Sequence, residues 1–250
     1  MADELIKPTP AGSPSALEAQ AVDGSLQACT RNAELLAAAL AMIAGFIDAY
    51  GMITYGVFVS FMSGNTTQTG YKAAEGAFGP ASLSALAILF FVSGAFAGTL
   101  LVQAAGRFAR RLVFGVVAAG LAAIVGFTQF GLLSGGAAIA AISFAMGIMN
   151  SALSRVGAQS VSLTFVTGTL SRVGSHLALA TRRAPLPDSQ GPWDTHLRRA
   201  IMLVRLWVGF LVGAILSGAA TPRYGAWVLL PPALMLAALA AFDRPDRAAV

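Results

Sequence analysis

A single carboxylate, Asp48, sits inside a long apolar run that reads AGFIDAYGMITYGVFVSFMSGNTTQTG from Ala44 to Gly70. An ionisable group within a membrane span costs about 2.5–3.5 kcal/mol on insertion scales, so it signals function by default. Proton carrier, cation ligand and partner of an arginine such as Arg155 are the three chemical roles open to it. The structural alternative is a cap at an interrupted helix or a place near the interface. Further along the same stretch, Ser63, Gly64, Asn65, Thr66, Thr67 and Gln68 offer amides and hydroxyls without charge. Such a set suits a small polar solute or a partly dehydrated ion. Its glycine lets the backbone unwind, and an exposed helix N-terminus favours anions. The plain reading of the same residues is a helix cap followed by an outside turn.

A second, weaker set lies in the other half. Asn150 falls where Asp48 would lie in a repeat, and Thr164, Thr167, Gly168, Thr169, Ser171 and Arg172 follow it. Arg172 suits an anionic solute, or is simply a loop arginine. A buried Asn in a helix bundle often only hydrogen-bonds across helices. The expected binding set is therefore Asp48, Ser63, Gly64, Asn65, Thr66, Asn150, Thr167, Gly168, Thr169 and Arg172. No paired carboxylates, Ser/His/Asp set, P-loop or HExxH motif is present. The chain is thus expected not to be an enzyme, and to use no cofactor or catalytic metal. Its lone Cys29 excludes an intrachain disulfide, and His176 and His196 lie near expected loops.

The elements that hold these residues belong in a bilayer. Of 250 residues 56% are hydrophobic and 11% charged, and the mean hydropathy is +0.73. Soluble domains carry about 25% charged residues. Spans of roughly 20 apolar residues are expected near 33–54, 83–105, 112–133, 137–153, 200–220 and 226–242. The expected divisions are a disordered cytoplasmic tail over 1–32, a first membrane repeat over 33–133, a second over 134–243 and a short tail over 244–250. The net charge of +5 belongs to loops and the anionic leaflet, not to nucleic acid.

The halves align by eye. GFID at Gly45 matches GIMN at Gly147, and VSFMSGNTTQTG, ending at Gly70, matches LTFVTGTLSRVG, ending at Gly174. GAFAGTLL from Gly94 matches GFLVGAIL from Gly209, and GRF at Arg107 resembles PRY at Arg223. Three spans per repeat would invert one repeat against the other. Interrupted segments at matching places in inverted repeats point to a secondary transporter's binding site. Placing Arg107, Arg110, Arg111, Arg155, Arg182, Arg183, Arg198 and Arg199 inside, as positive-inside bias requires, makes both interrupted segments re-entrant and both termini cytoplasmic. An eight-span arrangement ranks second, because it puts one arginine cluster outside. The expected fold is therefore an all-α integral membrane protein with six transmembrane helices as two inverted three-helix repeats. The Gly94/Gly98 and Gly209/Gly213 pairs are small-residue faces for close packing within the bundle, with homodimer contact the lesser reading.

The run GFIDAYGMITYGVF followed by MSGNT, with TGTL in the second half, resembles the YoaK-like family of small bacterial integral membrane proteins. The resemblance covers about Leu35 to Phe242, and Ser63 stands where the family is associated more with Thr. It implies a six-helix inner-membrane protein and supplies no substrate. Function is accordingly expected to be a small secondary transporter or permease for a small polar solute or ion, with Asp48 and the two broken segments forming a midplane site between the inverted repeats. A non-transporting scaffold that binds a partner protein is the alternative. A lipid-directed enzyme lacks an acid/base set, and a channel lacks a filter.

Overall fold

In a computed structural model the described residues are 16–151, 155–156, 159–160 and 166–242. Eight α-helices fill them: α1 Ala16–Tyr55, α2 Met62–Ala74, α3 Phe78–Ala105, α4 Ala109–Gln129, α5 Gly135–Asn150, α6 Val166–Thr181, α7 His196–Tyr224 and α8 Leu230–Phe242. A two-residue antiparallel pair, Arg155–Val156 with Gln159–Ser160, lies between α5 and α6. Three apolar helical stretches are long enough to cross a bilayer: Leu26–Tyr55, Phe78–Gln129 and His196–Phe242. The second bends at Gly106–Phe108, and the third at Gly225–Leu229. At both bends a left-handed glycine, Gly106 (φ 51°) or Gly225 (φ 53°), ends the helix before it. Leu230 and the two prolines after it open α8, where the first turn has no use for the missing amides.

Residues 16–32 extend α1, so this described part of the expected disordered tail is helical. An Ala-rich run of good helix formers accounts for that. Residues 1–15 and 243–250 of the expected tails lie outside the described residues. The outer faces of α3 and α7 expose Leu89, Val92, Phe96, Leu100, Ile215 and Leu216. Such a density of exposed apolar side chains suits hydrocarbon rather than water. The core is built instead from Leu40, Ile43, Ile47, Tyr50, Phe114, Leu121, Ile142, Met146, Met149, Leu203 and Leu229.

Helices from the two halves interlock. α1 packs along α7, α3 along α5 and α4 along α8, while α2 packs on α3 and α6 on α7. Glu34 meets Arg198 and Arg205, Ala38 meets Gly209 and Met42 meets Gly213, so α1 and α7 run parallel. Leu83 and Leu86 flank Gly136, Phe144 meets Gly94 and Ile148 meets Gly98, so α3 and α5 also run parallel. Tyr55 at the end of α1 lies beside Gly135 at the start of α5, which sets the second pair opposite to the first. Arg111 Nε donates to the carbonyl oxygen of Ala240 at 2.9 Å, which makes α4 and α8 antiparallel.

The crossings are backbone against backbone. A Cβ on Gly45 would overlap the carbonyl of Phe210, and one on Gly147 that of Phe91. One on Gly213 would overlap Met42, and one on Gly94 would overlap Phe144. Equivalent contacts therefore pair Gly94 with Gly213, not with Gly209 as the alignment by eye has it. The packing register is FVSGA (Phe91–Ala95) against FLVGA (Phe210–Ala214), one helical turn further along α7.

Gly213→Ala is expected to lose about 1–3 kcal/mol or more through overpacking. Gly218→Ala, where a Cβ meets nothing within 4 Å, is expected to be neutral or to stabilise α7 by about 0.5–1 kcal/mol. Thermal unfolding in detergent of the two variants beside the wild type checks this.

Candidate functional site

Asp48 lies on α1 and is 3% exposed. Two turns beyond it the helix ends at Tyr55, with Gly56 in the left-handed region (φ 69°) donating its amide to the carbonyl of Met52. The chain then folds back along the last turns of α1. Gly51 permits this, because a Cβ there would stand 2.7 Å from Val59 Cγ1 and 2.9 Å from the Val57 carbonyl. A non-helical backbone at membrane depth must find partners inside the protein. Asp48 Oδ1 supplies two of them, accepting from the amides of Val59 at 2.9 Å and Ser60 at 2.8 Å. Asn65 supplies two more: its Oδ1 accepts from the amide of Phe58 at 3.1 Å, and its Nδ2 donates to the carbonyl of the same residue. Gln68 Nε2 donates to the carbonyl of Gly56 at 2.9 Å, and Ser84 Oγ donates to Gln68 Oε1 at 3.1 Å.

The break thus falls at Gly56–Phe61, and the polar run that was expected to unwind is helical within α2. Once Asn65 and Gln68 serve the preceding backbone, Thr66 and Thr67 back-bond to Met62 and Ser63 and the helix closes on itself. Ser63, Thr66 and Thr67 are exposed and Gly64 is half-buried. An open cavity of about 360 Å³ lies against this helix, lined by Met52, Phe58, Phe61, Ser63, Gly64, Thr67, Gln68 and Tyr71. Neither Asp48 nor Asn65 lines it.

The second half differs. Asn150 ends α5, and its Oδ1 is buried with no hydrogen-bond partner among the described residues; Ser143 Oγ and Ser60 Oγ share that condition. Thr167 and Arg172 are exposed and Gly168 and Thr169 half-buried, all on α6. The expected unwound segment is helical from Val166 onward, and Thr164 lies outside the described residues. α2 and α6 do not touch. α2 follows the C-terminal end of α1 and α6 precedes the N-terminal end of parallel α7, so they occupy opposite ends of the bundle. The structure brings Asp48 together with the α2 helix bearing Asn65, and leaves Thr167, Gly168, Thr169 and Arg172 at the far end.

That far end holds a charge cluster that sequence reasoning spread over loops. Arg199 Nε and Nη2 donate to Asp194 at 2.9 and 2.7 Å, and Nη1 donates to both carboxylate oxygens of Asp188 at 3.0 Å. Burial opposes the charged form of Asp194, but the Arg199 hydrogen bonds outweigh it and hold its carboxyl below the ordinary range. Arg199 likewise lowers that of Asp188. Beside them, Arg198 Nη2 reaches buried Glu34 at 2.9 Å, with its guanidinium 4.3 Å from the Trp193 ring centroid. No signal short of the fold could link Glu34 with Arg198. The acidic residues flanking GPW, however, marked a loop able to neutralise the arginines at the start of α7. Among the described residues no group of three or more His, Cys, Asp or Glu suits a metal ion.

Apolar helices of spanning length, lipid-suited outer faces and a backbone break satisfied from within define a multi-pass helical membrane protein. Comparison agrees: the family model described as protein of unknown function (DUF1275) matches residues 36–242, and the chain belongs to that family. It is 32% identical over 216 residues to the UPF0700 transmembrane protein RA0705 of Rhizobium meliloti (strain 1021), which covers 85% of this chain and 87% of that protein. This accords with the resemblance to the YoaK-like proteins. No solved structure matches the chain.

Two outcomes follow from these bonds. Asp48→Asn keeps an acceptor oxygen and is expected to retain the wild-type melting midpoint within a few degrees, whereas Asp48→Leu orphans two buried amides and is expected to lose about 2–5 kcal/mol. For the second cluster, depressed carboxyl pKa values mean that its stabilisation is fully present above the ordinary aspartate value of 3.8 and is lost as pH falls below it. Most of this belongs to Asp194, because Asp188 is exposed and screened. Arg199→Gln strands Asp194 and is expected to cost about 3–5 kcal/mol; melting curves from about pH 3 to about pH 7 should lose the acid-side slope in that variant.

Proposed function

We propose that this chain is a small secondary transporter for a small polar solute or ion, built from two inverted repeats, α1–α4 and α5–α8. One observation carries the reading: corresponding short polar helices, α2 and α6, sit at opposite ends of a bundle whose halves exchange equivalent glycine crossings. Broken elements in matching positions of oppositely oriented halves are the arrangement used for alternating access. Six spans and two re-entrant helices account for the helix directions without a further crossing. Arg107, Arg110, Arg111, Arg182, Arg183, Arg198 and Arg199 then share one face with the start of α1, and positive-inside bias assigns that face to the cytoplasm. On this reading the protein belongs to a bacterial inner membrane, with the start of α1 and the end of α8 on the cytoplasmic side. Asp48 and Asn65 act by holding the α1–α2 break open, and the solute path runs between the halves. α2 closes it from outside and α6 from inside.

One observation favours the scaffold reading instead. Asp48, Asn65 and Gln68 all have backbone partners, so the most polar residues of the first half need no solute. Flux decides between the two. Purified protein in proteoliposomes is expected to move at least one of a panel of labelled neutral amino acids, small polyols and inorganic anions. Asp48→Asn should retain that flux, and Asn65→Leu should reduce it by about tenfold or more through loss of the buried hydrogen bonds. Absence of flux for the whole panel, with folded protein, would remove the transporter reading.

A further inference from the structure

α6 is tied to α7 by its histidine. His176 Nδ1 on α6 and His196 Nδ1 on α7 stand 2.9 Å apart, with ring centroids at 5.2 Å. His196 is 8% exposed, and its Nε2 is buried with no hydrogen-bond partner among the described residues. A bond between two Nδ1 atoms needs one to donate and the other to accept. A pair with both rings protonated has two donors and no acceptor, and two like charges at hydrogen-bonding distance.

We propose that the His176–His196 pair is a proton-sensitive latch that holds α6 against α7 near neutral pH and releases it in acid. Its role as the inner gate rests on the transporter reading above; the latch itself does not. The surroundings set the direction. Arg172 from α6 and Arg199 from α7 add positive charge, and Asp188 from the connecting loop is the acidic group facing His176. Asp188 and Asp194 are both engaged with Arg199, so the loop has little negative charge left to hold a second imidazolium. Burial, followed by His196 and Arg199, lowers the pKa of His176 below its ordinary 6.5. A base whose pKa is lowered in the closed form takes up its proton on opening. Closure is therefore complete above about pH 6.5 and weakens as pH falls below it.

Hydrogen exchange of the full chain in liposomes, at about pH 7.5 and about pH 5 and corrected for intrinsic exchange, reads the latch without reference to any solute. Residues 166–181 are expected to exchange roughly tenfold faster in acid, while residues 36–50 of α1 stay unchanged. His176→Gln and His196→Gln should each abolish the difference between the two pH values. A purely structural contact would instead give variants loosened equally at both pH values and a wild type without pH response. Equal protection of 166–181 at both pH values in the wild type overturns the proposal, as does a pH response that survives in both variants. Should either variant fail to fold, nitrogen-15 histidine spectra of the wild type still decide: a shared ring-to-ring hydrogen bond lost on acidification supports the latch, and two rings titrating independently overturn it. A pH-dependent α6 without flux at any pH would leave the latch standing and remove the transporter reading.

Discussion

Hydrocarbon offers no hydrogen bonds to a peptide group, and that constraint governs how this chain is put together. A helix satisfies it by itself; a break in a helix does not. At Gly56–Phe61 five backbone groups leave the helical pattern and are met by three side chains, Asp48, Asn65 and Gln68. The Asp48 carboxyl accepts from two of these amides through one oxygen. Asp48 is thus tied first to the backbone of the α1–α2 break.

The second organising feature is the exchange of helices between halves. The first helix of each half packs on the third helix of the other, α1 on α7 and α5 on α3, and glycine at the crossings lets main chains meet. Without a hydrophobic driving force inside lipid, close van der Waals packing is what such contacts offer. It follows that neither half is a unit on its own. The tightly packed pairs are α1 with α7 and α3 with α5, each drawn from both halves. The Arg199 cluster and the histidine pair lie together at one end of the bundle, at the start of α7.

Composition and hydropathy made the long apolar helices readable to within a few residues at most of their ends, because apolar runs bounded by Gly, Pro and Arg have few other uses; the start of α1, at Ala16, was not among them. The break after Tyr55 was legible as a region but misplaced. Gly64 and the Thr pair suggested unwinding at SGNTT, whereas Gly56 ends the helix and the later polar residues serve the gap it leaves. Asp48 was found as an acid in a span, but its partners are backbone amides, which every residue carries and no motif marks. Glu34 with Arg198 was out of reach because the two lie on helices distant in sequence, and His176 with His196 because the fold of the loop between α6 and α7 decides whether they meet. Of the sequence matches between the halves, GFID with GIMN has like contacts, since Gly45 meets Phe210 as Gly147 meets Phe91; Gly94 with Gly209 does not, since it is Gly213 that meets Met42 as Gly94 meets Phe144.

Pairing the first helix with the seventh has a consequence during biosynthesis. Glu34 and the Ala38–Gly45 surface of α1 enter the bilayer about 160 residues before Arg198 and Gly213 are made. At usual elongation speeds that interval lasts on the order of ten to thirty seconds. For that time an acid and an exposed glycine notch face whatever lies beside the ribosome's exit. Over that interval Glu34 and the glycine notch of α1 are without the partners they have in the finished fold.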